Sequence, residues 1–202
     1  LGPAEAKYFA VYLHGRDSTQ PSTQELGNRA ALAQVAQALS MRIALPRAAF
    51  HCPEGSATLC WGWALKENEM DAAARATNDA AAKCFGNDKP FGLIGFSSGG
   101  GVATKAFRNC QLQSRFSQAP WAVAIGSSMF KGPLGPESPP RLEGCGTLVL
   151  LTGEHDPSRD PAEHYLKVLH EKGAHVTALS FDGAHEVTAD SLQRALGEVL
   201  PK

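Results

Sequence analysis

The chain has 202 residues, 43% hydrophobic and 19% charged, and its 19 Lys and Arg against 20 Asp and Glu leave a formal net charge of −1. This length suits a single domain, 1–202, that buries its own core, and the composition is that of a soluble globular protein. The balanced charge, with no basic run, excludes nucleic acid as an expected partner, and no apolar stretch approaches the roughly 18 residues of a membrane span. The sequence opens on Leu1 and not on methionine, which reads as a processed or trimmed product.

Tyr8 to His14 is rich in aromatic and β-branched residues and predicts a first strand. Gly15-Arg16-Asp17-Ser18 turns away from it, and a helix runs from Thr23 to about Met41 with Leu26, Ala30, Val35 and Leu39 along one face. Arg42 to Leu45 is a short strand stopped by Pro46. Residues 47–64 form a long connection, read as a functional loop or a small insertion. An alanine-rich helix spans Glu67 to about Phe85, and Pro90 to Ile94 is the third strand. A glycine-rich turn and a helix to about Gln113 follow. Trp121 to Ile125 and Thr147 to Leu151 are the fourth and fifth strands, separated by the Pro- and Gly-rich loop from Lys131 to Gly146. A helix over Pro161 to Lys172, a strand over Val176 to Phe181 and a last helix over Thr188 to Leu200 complete the chain. Strands alternating with helices predict an α/β fold: a three-layer α/β/α sandwich around about six mostly parallel strands. Ligands of such sheets bind at the carboxyl ends of the strands.

Four polar features fall just past predicted strand ends: His14-Gly15-Arg16, Ser97, Asp156 and His185. Gly95-Phe96-Ser97-Ser98-Gly99 fits G-x-S-x-G between strand and helix. Glycines flank the serine because side chains there would collide with the neighbouring strand and helix. The hydroxyl is thereby lifted to a helix N-terminus, where N–H groups favour developing negative charge. The order Ser, Asp, His then assigns Ser97 as nucleophile, His185 as proton acceptor and donor, and Asp156 as the group that fixes the imidazole. The backbone N–H groups of Ser98 and Arg16 are the expected oxyanion donors. Asp160 and Asp182 compete with Asp156 for the acid role, which alternatively is a helix cap before Pro157. His155 is the next candidate base, and His14 has a structural place in the first turn. No Cys pair has zinc-site spacing, and His51-Cys52 with Cys60 is too sparse, so neither a metal nor a cofactor is expected.

On the residues Leu13-His14-Gly15, Gly95-Phe96-Ser97-Ser98-Gly99, Gly153-Glu154-His155-Asp156 and Gly183-Ala184-His185, the chain resembles a small, lidless α/β-hydrolase of the phospholipase/carboxylesterase and dienelactone-hydrolase-like group. The resemblance implies a minimal version of that fold, with the first two strands of larger relatives missing. Two departures stand out. The turn after His14-Gly15 carries Arg16-Asp17 with no further glycine, and Gly99 to Gly101 is a longer glycine run than the motif requires.

The gap from Ser127 to Gly146 is too short and proline-rich for a helical lid, which implies an open site. Trp61, Trp63, Met129 and Phe130 are candidate walls of that site and point to an acyl or aromatic acid group on a small-molecule or acylated substrate. The alternative for the two tryptophans is packing against the following helix. Cys84–Cys110 and Cys52–Cys60 are the expected disulfides, which would make the protein secreted or periplasmic. The alternative is five reduced thiols in the cytoplasm. The sequence does not specify an oligomeric state. The expected activity is that of a serine esterase working through an acyl-enzyme. The alternatives are a thioesterase or amidase with the same triad, or a non-catalytic binding protein of this fold.

Overall fold

A computed structural model describes residues 1–18, 22–48, 50–51, 60–63, 67–117, 119–127, 141–157 and 159–201. Its first strand, β1 (Tyr8–Leu13), shows how the sequence builds the layers. Ala10 and Tyr12 face one side of the sheet while Val11 and Leu13 face the other, the period-2 alternation that any strand imposes. β2 (Asp17–Ser18) follows, then α1 (Thr23–Ala38), which Ser22 caps by accepting from the Glu25 N–H. The helix stops three residues before the predicted Met41. Ser40 takes a positive φ of 48°, and the chain turns directly into β3 (Met41–Ala44).

The connection after β3 contains two short strands, β4 (Phe50–His51) and β5 (Cys60–Gly62). They form a small antiparallel sheet with β2, in the order β2-β5-β4. Sequence periodicity gave no sign of it, because strands this short are fixed by pairing across the chain, such as Asp17 opposite Trp61. The chain continues through α2 (Glu67–Phe85), β6 (Gly92–Phe96), α3 (Ser98–Arg108) and a one-turn α4 (Leu112–Arg115). One helix to Gln113 was expected. The chain breaks at Cys110, whose φ is 56°. β7 (Trp121–Ile125), β8 (Thr147–Gly153), α5 (Arg159–Glu171), β9 (His175–Phe181) and α6 (Ala189–Gly197) complete the order.

The main sheet has six strands in the order β3-β1-β6-β7-β8-β9, all parallel. One face packs on α2, α3 and α5, around Leu13, Met70, Leu93, Phe107, Leu148 and Leu169. The other packs on α1 and α6, around Tyr12, Leu32, Ile94, Val123, Leu151 and Leu196. Burial of each such large side chain contributes about 1.5–3 kcal/mol. Both faces are covered, giving the expected three-layer sandwich. No described helix is long and apolar enough to cross a membrane.

The disulfide differs from expectation. Cys110 bonds to Cys145, with Cα atoms 4.7 Å apart, and Cys84 is a free thiol. The reason is topological. α2 packs over β1 and β3, whereas α3 packs over β6 and β7 and reaches β8. The chain leaving α3 therefore meets Cys145, two residues before β8 begins, and not the end of α2. Cys52, half of the other expected pair, lies outside the described residues, as does the side chain of Cys60.

Candidate active site

Ser97 sits between the end of β6 and the first residue of α3, with φ 51° and ψ −114°. A non-glycine residue held at positive φ costs on the order of 1–3 kcal/mol and persists only where its surroundings enforce it. Here the Ser97 N–H donates to the Ile125 carbonyl at 2.8 Å, and the Ser97 carbonyl accepts from Gly101 N–H at 3.0 Å. The flanking glycines are required by close approach. A Cβ on Gly95 would lie 2.3 Å from the Gly99 carbonyl oxygen, and one on Gly99 would lie 2.0 Å from that of Leu13. The G-x-S-x-G pattern is therefore a packing constraint as much as a chemical one.

His185 lies four residues past β9, and its Nδ1 is 2.9 Å from Asp156 Oδ2. The Asp156 side chain is 1% exposed and the His185 side chain 35%. A buried carboxylate only accepts, so Nδ1 carries the proton and Nε2 presents its lone pair. The two loops are joined through backbone as well: Glu154 N–H donates to Phe181 O at 2.8 Å and His155 N–H to Gly183 O at 2.9 Å. Asp156 N–H closes its own turn onto Gly153 O at 3.0 Å. These bonds are what a carboxylate-bearing turn after β8 needs to meet an imidazole after its neighbour β9.

The pair lies beside the serine turn. The His185 ring packs against that of Phe96, the residue before Ser97, with centroids 4.8 Å apart. Gly126, next to the Ile125 that holds the Ser97 amide, has φ 55°, and a Cβ there would come within 2.8 Å of both His185 Nδ1 and Asp156 Oδ2. Gly126 is thus a site residue that sequence reasoning missed. Its only signal was a glycine directly after a strand.

The first turn also meets the serine. A Cβ on Gly15 would stand 3.2 Å from Ser97 Cβ, so the turn that leads into Arg16 passes beside the serine turn. The Ser98 amide opens α3. His14 is buried, and its Nε2 accepts from Ala48 N–H at 3.0 Å, which leaves Nδ1 to donate to Gly15 O at 2.6 Å. Both ring nitrogens are engaged in shaping the turn, so His14 is structural. Of the competing acids, Asp182 is 94% exposed and pairs with His155 at 3.5 Å. The side chain of Asp160 lies outside the described residues.

Trp63 is buried, with its ring 5.7 Å from that of His14, and it belongs to the core cluster that holds Met70 and Ala73 of the following helix. Met129, Phe130 and the side chain of Trp61 lie outside the described residues. A cavity of about 610 Å3 opens at the opposite edge of the sheet, lined by Tyr8, Phe91 and Trp121 among others. It is remote from Ser97 and bears no nucleophile of this set.

No protein-family model and no curated protein sequence matches the chain. Solved structures do. The chain is similar to the esterase PE8, at 18% identity and a TM-score of 0.66, covering 99% of this chain and 97% of that one. It is similar to acyl-protein thioesterase 2 of Zea mays, at 17% identity and a TM-score of 0.66, with the same coverage. It is also similar to the carboxylesterase of Bacillus cereus, at 18% identity and a TM-score of 0.62, covering 96% of this chain and 89% of that one. At such identities the likeness is one of fold.

Proposed function

We propose that this chain, which has the α/β-hydrolase fold, is a serine hydrolase that cleaves carboxylic esters through an acyl-enzyme on Ser97. The observation that carries the reading is the Asp156–His185 hydrogen bond of 2.9 Å beside a serine held at positive φ. His185 Nε2 takes the Ser97 proton as Oγ attacks the ester carbonyl. The carbonyl oxygen becomes an oxyanion held by the Ser98 and Arg16 N–H groups. Collapse breaks the C–O bond to the alcohol, and His185 returns the proton to that leaving oxygen. Water then repeats the sequence: His185 takes its proton, the hydroxide oxygen attacks the acyl carbon, and the acid leaves as Ser97 regains its hydrogen. Asp156 keeps Nδ1 protonated and stabilises the imidazolium at each transfer. The esterase and carboxylesterase neighbours of the same fold support this chemistry.

Thioester cleavage uses the same groups, and the acyl-protein thioesterase neighbour favours it as the second reading. Matched ester, thioester and anilide substrates separate these readings from amide cleavage. A binding protein without turnover would not react with a fluorophosphonate probe. Ser97→Ala should lower turnover of a short-chain nitrophenyl ester by several powers of ten and abolish probe labelling, with the circular dichroism spectrum unchanged. Full activity in that variant ends the mechanism. Trp61, Met129 and Phe130 remain the proposed apolar wall of the acyl site. The Cys110–Cys145 bond supports an exported, oxidising location, since disulfides persist chiefly outside the reducing cytosol.

A further inference from the structure

α1 carries a buried polar chain that leads to the His185 loop. Arg29 Nε donates to Glu25 Oε1 at 2.9 Å, and the Tyr12 hydroxyl donates to Glu25 Oε2 at 3.2 Å. Asn28 Nδ2 donates to the Tyr12 oxygen at 3.4 Å, and Asn28 Oδ1 accepts from Val187 N–H at 3.1 Å. Tyr12, Glu25 and Asn28 are each 3% exposed or less. Two residues before Val187, the carbonyl of His185 itself accepts from Gln24 Nε2. Directly after Val187, Thr188 caps α6 by accepting from Ser191 N–H at 3.3 Å.

The orientation of the Asn28 amide is forced from both ends. A backbone N–H can only donate, so Val187 requires the oxygen. A carboxylate paired with Arg29 can only accept, so Tyr12 spends its hydrogen on Glu25 and offers its oxygen to the Asn28 NH2. Burial and the adjacent Glu25 carboxylate push the Tyr12 phenol well above its usual pKa, so that hydrogen stays in place. A hydrophobic residue at position 28 would serve a core; a buried amide bonded at both its oxygen and its nitrogen serves a defined geometry.

We infer that Asn28 and Gln24 are positioning residues for His185: they hold the backbone that leaves His185, at its own carbonyl and at the Val187 N–H, and Glu25, acting through Tyr12, fixes the orientation of the Asn28 amide. Neither residue touches the reacting atoms. Their effect is to keep the imidazole aimed at Ser97 while its Nδ1 stays on Asp156. This deepens the catalytic reading above and rests on it.

The test measures kcat and KM on a short-chain nitrophenyl ester for Asn28→Ala, Gln24→Ala and Tyr12→Phe. It also measures two quantities independent of turnover: exchange of the Val187 amide, and the low-field proton resonance of His185 Nδ1–H. Asn28→Ala should lower kcat about 10- to 100-fold, since errors near 1 Å in reacting geometry carry losses of that order, and leave KM within about twofold. Val187 exchange should accelerate and the Nδ1–H resonance should broaden. Tyr12→Phe and Gln24→Ala should show smaller losses of the same kind, and Tyr12→Phe should add nothing to Asn28→Ala. Unchanged Val187 exchange and kcat in a folded Asn28→Ala variant overturn the inference. If that variant does not fold, wild-type behaviour in both Gln24→Ala and Tyr12→Phe overturns it. A wild-type chain that resists the fluorophosphonate probe refutes the hydrolase reading instead, and the exchange of Val187 then decides the backbone hold separately.

Discussion

Gly126→Ala separates damage to the site from damage to the fold. The added methyl would stand 2.8 Å from both His185 Nδ1 and Asp156 Oδ2, about 0.6 Å inside the 3.4 Å at which ordinary contact begins. Asp156 is buried and held by its own turn, so the half-exposed His185 ring is what yields. An imidazole displaced by that much loses its bond to Asp156 or its aim at Ser97. Geometric errors approaching 1 Å cost up to about 100-fold in rate, so kcat should fall roughly 10- to 100-fold. The stability effect is smaller: alanine at φ 55° costs about 1–2 kcal/mol. For a chain of this size that lowers Tm by about 3–6 °C. Ester turnover and thermal melting of one preparation read both quantities. A folded variant with kcat within twofold of wild type would refute the convergence of Ser97, Asp156 and His185.

Asp156→Asn should lower kcat by about three to four powers of ten, because the uncharged amide accepts more weakly than a carboxylate and can donate its NH2 to the ring nitrogen, so the imidazole settles in the wrong tautomer; a loss under tenfold would return the acid role to another carboxylate. Gly27→Ala lies within α1, where a Cβ would meet nothing within 4 Å, so it should add about 0.5–1 kcal/mol of stability with turnover unchanged; a lower Tm would count against this placement of the helix. Removing the disulfide by Cys110→Ser with Cys145→Ser opens a link across 35 residues. The chain-entropy estimate is about 3–4 kcal/mol, or a Tm lower by about 10 °C. Five free thiols in the unreduced wild-type protein would remove both the bond and the case for export.

Much of the candidate site was legible because the proposed chemistry imposes local rules. Ser97 is recognisable between glycines because Gly95 meets the Gly99 carbonyl, and Gly99 that of Leu13, at distances no side chain survives. Asp156 and His185 are recognisable because each follows a strand end on one edge of a parallel sheet. The six strands of the main sheet were legible for a similar reason: alternating or fully apolar runs, bounded by glycine and proline, are a local signal.

The remainder depends on residues distant in the chain. The small sheet of Asp17–Ser18, Phe50–His51 and Cys60–Gly62 exists only through cross-chain pairing, which no window of sequence displays. Reasoning from helix ends pairs Cys110 with Cys84, and it is sheet order that brings Cys110 instead to Cys145, just before the strand beside β7. Asn28 looks like any polar residue on a helix until α1 is laid over β1 and the His185 loop. Only then do a phenol 16 residues before it and an amide 159 residues after it complete its hydrogen bonds. Sequence by itself determined which groups are the candidates for the proposed chemistry and along which sheet edge they stand, because those demands act on neighbouring residues. Tertiary structure decided what aims them, because aim depends on contacts between segments that the chain order leaves far apart.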